Sequence, residues 1–324
     1  MKSALIVGYG SMGRRRIRIL KSLIPDIKII CVEKNPERLK AASDEGLTGC
    51  ESLDEALALQ PDYAFVCTSP GHHADITMSI IEHGISVFTE LNLVPDKYEE
   101  LISTAEKHNA KIFMSSTMLY DKKIQAIMDI VKNANEPLSY IYHIGQYLPD
   151  WHPWESYKNF FIGKKETNGV REIYAIQLPW IVKTFGPVKK LQSASQKQTA
   201  LDIDFDDSYI ATMQHENGDH GVFVADVVAR NAVQYLEIMG ENTYVTWNGK
   251  PDGLLYFDKE KGEMAELHTY EKEEHIEGYA DNVFENEYVD EVKAFLDYVE
   301  EDKQPLYTLK DDKYVLSLID EIGA

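Results

Sequence analysis

Apolar and polar positions fall into two regimes along this chain. Up to Tyr120, short apolar runs at 5–7, 27–32, 63–67, 85–88 and 111–115 alternate with stretches of helical period, which predicts about six β units joined by helices. In the first helical stretch, 11–24, Ile17, Leu20 and Ile24 share a face and Pro25 ends it. Asn35-Pro36 opens the second helix, and Ser52 with Glu55 forms a capping box for a short third. After Tyr120 the period changes to two. The runs 140–147, 234–239, 244–247 and 254–258 read as strands, and 203–216 with 218–230 reads as a hairpin turning at Asn217-Gly218. Two helices follow, at 282–300 and after a capping Thr308. The pattern predicts an α/β protein: a doubly wound parallel sheet in residues 1–120, then an α+β domain in 121–324. The second domain's mostly antiparallel open sheet carries helices on its inner face.

The first strand runs straight into Gly8-Tyr9-Gly10-Ser11-Met12-Gly13. A GxGxxG between strand and helix is the phosphate cradle of a Rossmann domain. Gly8 permits the tight turn, Gly10 lets backbone approach a pyrophosphate, Gly13 lets helix pack on strand, and the helix start faces the anion. Twenty residues after Gly13 the second apolar run ends in Glu33, where a carboxylate can hold an adenosine ribose through its hydroxyls. An acid there repels a 2′-phosphate, which predicts NAD, while Lys34 and Arg38 keep NADP open. Thr68-Ser69-Pro70 with His73, and Thr89-Glu90-Leu91-Asn92, stand at carboxyl ends of later strands, where such sheets hold ligands. His73 fits a structural role at a helix start equally well. Arg14, Arg15, Arg16 and Arg18 oppose the helix dipole, so they point to a nearby anion, whether cofactor phosphate or acidic side chains, or else form a solvated basic face.

Composition narrows the classes. With 44% apolar and 27% charged residues the chain reads as an ordinary globular protein, and no apolar run approaches the roughly 18 residues of a membrane span. The N-terminus enters a strand directly where a signal peptide would stand, so a cytoplasmic protein with no membrane partner is expected. The net charge of −21 divides into −3 through Tyr120 and −18 beyond it, a field that repels nucleic acid. Cys31, Cys50 and Cys67 lack metal-ligand spacing. On strands flanking the first, Cys31 and Cys67 would be roughly 9–10 Å apart, too far for a disulfide. Asp202, Asp204, Asp206 and Asp207 lack the glycine and closing glutamate of a calcium loop, so no metal site is expected.

The order GYGSMG, Glu33, TSPGHHAD and GISVFTELN resembles the glucose-fructose oxidoreductase / inositol dehydrogenase / MocA (Gfo/Idh/MocA) family, whose members carry a TP-x-x-x-H-like loop and then Glu-Lys-Pro after the fifth strand. The hairpin-rich second half and the late helix with Phe295 fit as well. The resemblance implies an NAD(P)-dependent oxidoreductase acting on a hydroxyl or carbonyl of a sugar, cyclitol or sugar nucleotide. It implies cofactor contacts at Gly8, Gly10, Ser11, Met12, Gly13, Glu33, Thr68, Ser69, Pro70, His73 and Glu90.

Family enzymes move a proton with the lysine of that triplet and with an aspartate and a histidine on a second-domain helix. Here the triplet is Glu90-Leu91-Asn92, and counting back from Gly186 puts Glu172 and Ile176 at the other two positions. A positioned acid or base contributes roughly 10²–10⁴ in rate, so neighbours must substitute. Glu172 with Tyr174 is the expected acid/base pair, Arg171 and Gln177 are expected substrate contacts, and Pro179 is expected to break the helix and free carbonyls. The aromatic cluster Tyr147, Trp151, Trp154, Tyr157, Phe160 and Phe161 suits core or interface packing, with Trp151, His152 and Trp154 the part expected to reach a sugar. The alternative is a non-catalytic protein that keeps the dinucleotide as a structural or sensing ligand. An open sheet with one helix-free face also predicts a homo-oligomer, covered through 222–228 and 235–239.

Overall fold

The computed structural model describes residues 1–151, 156–271 and 284–324. In chain order it runs β1 (Ser3–Val7), α1 (Ser11–Leu23), β2 (Lys28–Val32), α2 (Pro36–Asp44), β3 (Thr48–Cys50), α3 (Leu53–Leu57), β4 (Tyr63–Val66), α4 (His73–Ile81), β5 (Ser86–Thr89), α5 (Tyr98–His108) and β6 (Ile112–Met114). Then come α6 (Lys122–Asn133), β7 (Ser139–Gly145), α7 (Gly169–Phe185), β8 (Val188–Gln196), β9 (Ser208–His215), β10 (His220–Asp226), β11 (Val233–Met239), β12 (Tyr244–Trp247), β13 (Leu254–Asp258) and β14 (Glu263–Glu266). The chain ends with α8 (Asn286–Glu301) and α9 (Leu309–Ile322). Among the described residues no helix is long and apolar enough to cross a membrane.

Two compact units divide the chain: Met1–Ser116 with Tyr288–Lys313, and Thr117–Glu287 with Tyr314–Ala324. The first holds a parallel six-stranded sheet in the order β3-β2-β1-β4-β5-β6. The doubly wound sheet expected from the alternating runs is therefore present. Its helix starts form as their residues dictate. The Asn35 side chain accepts from the amides of Glu37 and Arg38, and Ser52 accepts from Glu55, whose carboxylate returns to the amide of Glu51. The three-residue edge strand β3, Thr-Gly-Cys, had no periodic signal and was not located from sequence.

One feature of this unit departs from a boundary at residue 120. Phe65, Phe88 and Phe113 stack in register across β4, β5 and β6, with centroids 5.2 and 5.1 Å apart, and Phe295 of α8 sets its edge against all three at 5.1 to 5.8 Å. This aromatic burial draws the late helix into the N-terminal unit.

The second unit holds eight strands in the order β14-β13-β12-β11-β7-β10-β9-β8, antiparallel except for β7 against β10. The expected hairpin is β9–β10, with Gly218 at φ +99° in its turn. On the inner face, Tyr140 stacks on Phe185 (4.3 Å), Tyr142 meets Trp180 edge-on (5.2 Å) and Tyr174 meets Phe223 (4.7 Å). Each ring pair joins α7 to the sheet. Strand β8 escaped sequence reading because most of its residues are exposed and polar. α7 also corrects an expectation: it continues through Pro179 without breaking. Proline removes only one N–H from the ladder, and the burial of Leu178, Trp180 and Ile181 around it holds the helix together.

Candidate functional site: a dinucleotide cradle and its buried supports

β1 ends at Val7, and Gly8 turns the chain at φ +101°. A Cβ on Gly8 would stand 2.7 Å from the Cys67 carbonyl oxygen, and one on Gly13 would stand 2.0 Å from the Gly8 carbonyl oxygen. Gly10 is different, since among the described residues a Cβ there would meet nothing within 4 Å. That open space lies at the N-cap of α1, whose first turn contains no acid. The amides of Met12 and Gly13, in the first turn of α1, have no acceptor inside the helix, which suits them to an anionic pyrophosphate.

Glu33 closes the cradle at the end of β2. One carboxylate oxygen accepts the amide of Tyr9 (2.9 Å) and the other the amide of Asn35 (2.8 Å). Each oxygen keeps a lone pair for a ribose hydroxyl. On the far side, the loop 68–70 follows β4, and the Thr68 hydroxyl is buried with no partner among the described residues. An orphaned hydroxyl beside open backbone is what a bound dinucleotide would satisfy, so these residues fit the cofactor.

Two expected cofactor contacts prove to be occupied within the protein. Glu90 is gripped by Arg16, with Nε to Oε1 at 2.6 Å and Nη2 to Oε2 at 3.2 Å. The same guanidinium bonds Glu291 of α8 (2.8 Å), and Glu291 in turn accepts from the Ser115 hydroxyl and the Ser116 amide. Arg16 and Glu291 are fully buried. The arginine cluster therefore does have its anions, and for Arg16 they are acidic side chains. Arg15 lies over the Tyr288 ring at 4.0 Å, while Arg14 and Arg18 are exposed.

His73 is likewise committed. Its Nε2 donates to the Thr68 carbonyl (2.8 Å), and its Nδ1 meets the Asn92 amide group (2.8 Å). Asn92 continues to the Tyr98 hydroxyl (2.7 Å), and Tyr98 bonds Asp312 of α9, which also accepts from Tyr307 (3.0 Å). Sequence reading placed Asn92 at a strand end but missed its tie to His73, and it missed Tyr98 and Asp312 altogether. The available signal was Asn92 itself, a polar residue where the family triplet ends in proline.

Burial sets the charge states in this cluster. It lowers the imidazole of His73 and pushes the Asp312 carboxyl up to about 6, overcoming the Tyr98 and Tyr307 hydrogen bonds that favour the carboxylate. Because the folded value lies above the unfolded 3.8, Asp312's contribution to stability is intact below about pH 4 and is lost as pH rises through 6. Asp312→Asn should therefore stabilise the protein at pH 8 by about 2–3 kcal/mol and change little at pH 4. Urea unfolding at the two pH values measures this; an equal effect at both would refute it.

In the second unit the expected substrate and acid/base residues separate. Arg171 donates to the Ala324 carbonyl (2.7 Å) and pairs with Asp320 (2.8 Å), so it fastens the end of α9. The carbonyl oxygen of Gln177 accepts from Tyr142 (2.8 Å) and from the Trp180 indole (2.7 Å), inside the core. Arg171 and the Gln177 carbonyl oxygen, expected as substrate contacts, are thus tied within the protein. Trp151 donates its indole N–H to the Gln146 carbonyl (2.9 Å) and is half-buried; His152 and Trp154 lie outside the described residues.

Glu172 and Tyr174 are two residues apart, about 200° around a helix, and do not meet. Tyr174 turns to the sheet, fully buried, its hydroxyl unpartnered among the described residues and its acidity suppressed by burial. Glu172 is half-buried, its carboxyl has no hydrogen-bond partner among the described residues, and burial raises that carboxyl to about 7. Ile176, one turn later, is also half-buried.

This cradle on this sheet is that of a Rossmann dinucleotide-binding domain. Residues 2–116 match the Gfo/Idh/MocA family profile, described as an oxidoreductase family with an NAD-binding Rossmann fold, so the resemblance drawn from the motifs holds over the first domain. By sequence, no curated protein matches the chain. Solved structures share the fold across both units. GenD2 from gentamicin A biosynthesis, in complex with NAD, superposes with a TM-score of 0.78 at 16% identity, covering 98% of this chain and 92% of that one. The WlbA dehydrogenase from Bordetella pertussis, in complex with NADH and UDP-GlcNAcA, gives 0.77 at 16%, covering 99% and 95%. Myo-inositol 2-dehydrogenase from Lactobacillus plantarum gives 0.77 at 19%, covering 99% and 96%.

Proposed function

We propose that the protein is an NAD-dependent oxidoreductase acting on a hydroxyl or carbonyl of a sugar, cyclitol or sugar nucleotide, with Glu172 as its acid/base group. The observation that carries this is the Glu172 carboxyl at about 7, half-buried and unpaired among the described residues, on the helix where the family places its aspartate. A carboxyl tuned near neutral pH suits proton transfer in either direction. Support for the substrate class comes from the neighbours whose names or bound ligands are a sugar nucleotide and an inositol. Hydride acceptance is the chemistry NAD supplies when bound. In alcohol oxidation the carbon loses its hydride, and the O–H proton passes to the Glu172 carboxylate as the carbonyl forms. Glu33 and the α1 amides hold the dinucleotide; Leu91 supplies no proton.

Glu172→Gln is expected to slow single-turnover nicotinamide reduction by roughly 10²–10⁴. In the unmodified protein that rate should climb as pH rises through about 7, as the carboxylate form accumulates, and the variant should lose this limb. An unchanged rate and profile would remove the assignment. The second reading, a protein that senses the dinucleotide without turnover, is favoured by Leu91 and Ile176, both apolar where the family has proton carriers. Binding of NADH with no hydride transfer to any sugar would establish it.

Self-association belongs to the same proposal. Ile210 (49% exposed), Ile141 and Tyr235 (38%) lie on the outer sheet surface. We expect a homo-oligomer that covers them, and a monomer at micromolar concentration in sedimentation would contradict this.

A further inference from the structure

The chain of links from the cofactor loop to α9 has a proton count that its geometry makes definite. The Thr68 carbonyl can only accept, so Nε2 of His73 carries a hydrogen. Two arrangements then close every link. In one, Nδ1 of a charged His73 donates to the Asn92 oxygen, the Asn92 nitrogen donates to Tyr98, and Tyr98 donates to an ionised Asp312. In the other, the amide is reversed: it donates to Nδ1 of a neutral His73 and accepts from Tyr98, which accepts from a protonated Asp312. Both arrangements hold the same single proton. Once it departs, three links share two donors, and one link must open.

We propose that His73, Asn92, Tyr98 and Asp312 form a one-proton latch on the loop 68–70: with the proton stored the loop is fixed and NAD is held tightly, and with the proton gone the loop loosens and NAD is held less well. The links themselves are the argument, since all four residues are no more than 5% exposed and a missing donor in such surroundings is costly. Charge acts in the same direction. Loss of the proton leaves one more negative charge in a domain that takes an anionic pyrophosphate. The surrounding groups do not reverse this. Glu90, beside His73, is neutralised by Arg16. Asp96 beside Tyr98 and Asp311 beside Asp312 add negative charge that favours retention of the proton. The pairs Lys97–Asp75 and Lys313–Glu99 are self-compensating and exposed. Burial lowers His73 and raises Asp312, which favours the neutral arrangement of the stored proton. His73 and Asp312 are thus positioning residues.

The latch rests on the reading of the cradle as an NAD site, and calorimetric NAD titration from pH 5.5 to 8 tests both. Affinity is expected to fall on the order of tenfold over that range. Asp312→Asn supplies a permanent N–H to Tyr98, so it should close all links without a stored proton. It is expected to bind NAD at pH 8 as tightly as the unmodified protein does at pH 5.5, with no pH dependence. A purely structural role would predict weaker binding at every pH. Tyr98→Phe, which cuts the chain while keeping the Asp312 carboxyl, should abolish the slope and leave binding weak throughout. NAD binding that ignores pH in the unmodified protein, or a slope that survives in both variants, overturns the latch alone. No NAD binding at any pH overturns the cofactor site and the latch with it.

Discussion

Arg16→Met is expected to cost the first domain about 3–5 kcal/mol, a large part of the stability of a domain this size. The guanidinium is fully buried between Glu90 and Glu291, so its removal leaves two carboxylates in a low-dielectric interior with no cation between them. Protonation can relieve only part of that penalty. Far-UV circular dichroism through a urea titration reads the loss, and hydrogen exchange should show it concentrated in β4 to β6 and α8. Adding Glu90→Gln and Glu291→Gln to Arg16→Met should recover a substantial fraction, because the pair then no longer requires a countercharge. A midpoint unmoved by Arg16→Met would mean that the triad contributes nothing net.

The second large effect is expected at Gly13. An alanine Cβ there would fall 2.0 Å from the Gly8 carbonyl oxygen, well short of the 3.4 Å at which ordinary contact begins, and the obstacle is backbone that cannot rotate away. Helix α1 must move off β1 or the loop must open, at a cost of about 1–3 kcal/mol or more. Either shift would displace the amides proposed to face a pyrophosphate. Gly13→Ala should therefore bind NAD at least about tenfold more weakly while retaining a parallel sheet by circular dichroism. Gly10→Ala is the informative comparison. Its Cβ meets no atom of the described residues, so the fold should be untouched and any loss of binding would come from contact with the ligand itself. Unimpaired binding in Gly13→Ala would show that helix and strand have slack that the contact distances do not suggest.

Some elements were legible because their cause is local. The GxGxxG turn, the Asn35-Pro36 and Ser52–Glu55 helix starts and the Asn217-Gly218 hairpin each depend on neighbours a few residues away, so residue type alone specified them. Buried strands β1, β2, β4 and β5 showed as apolar runs because both faces of a parallel sheet are covered. The edge strand β3 and the exposed β8 carry no such pattern, and sequence was silent on them.

The roles of polar side chains were a different matter. By itself the sequence determined the alternation of strand and helix, the phosphate cradle with Glu33 beyond it, and an apolar Leu91 between Glu90 and Asn92. Only the tertiary structure decided that Glu90 belongs to Arg16, that Arg171 and Gln177 are internal ties, that Tyr174 faces the sheet, and that Asp312 reaches His73 through Asn92 and Tyr98. Glu291 is 275 residues from Arg16 along the chain. Whether a charged group meets solvent, ligand or a buried counterion depends on what the fold brings beside it. Desolvation and pairing act over a few ångströms of space, whatever the separation in sequence.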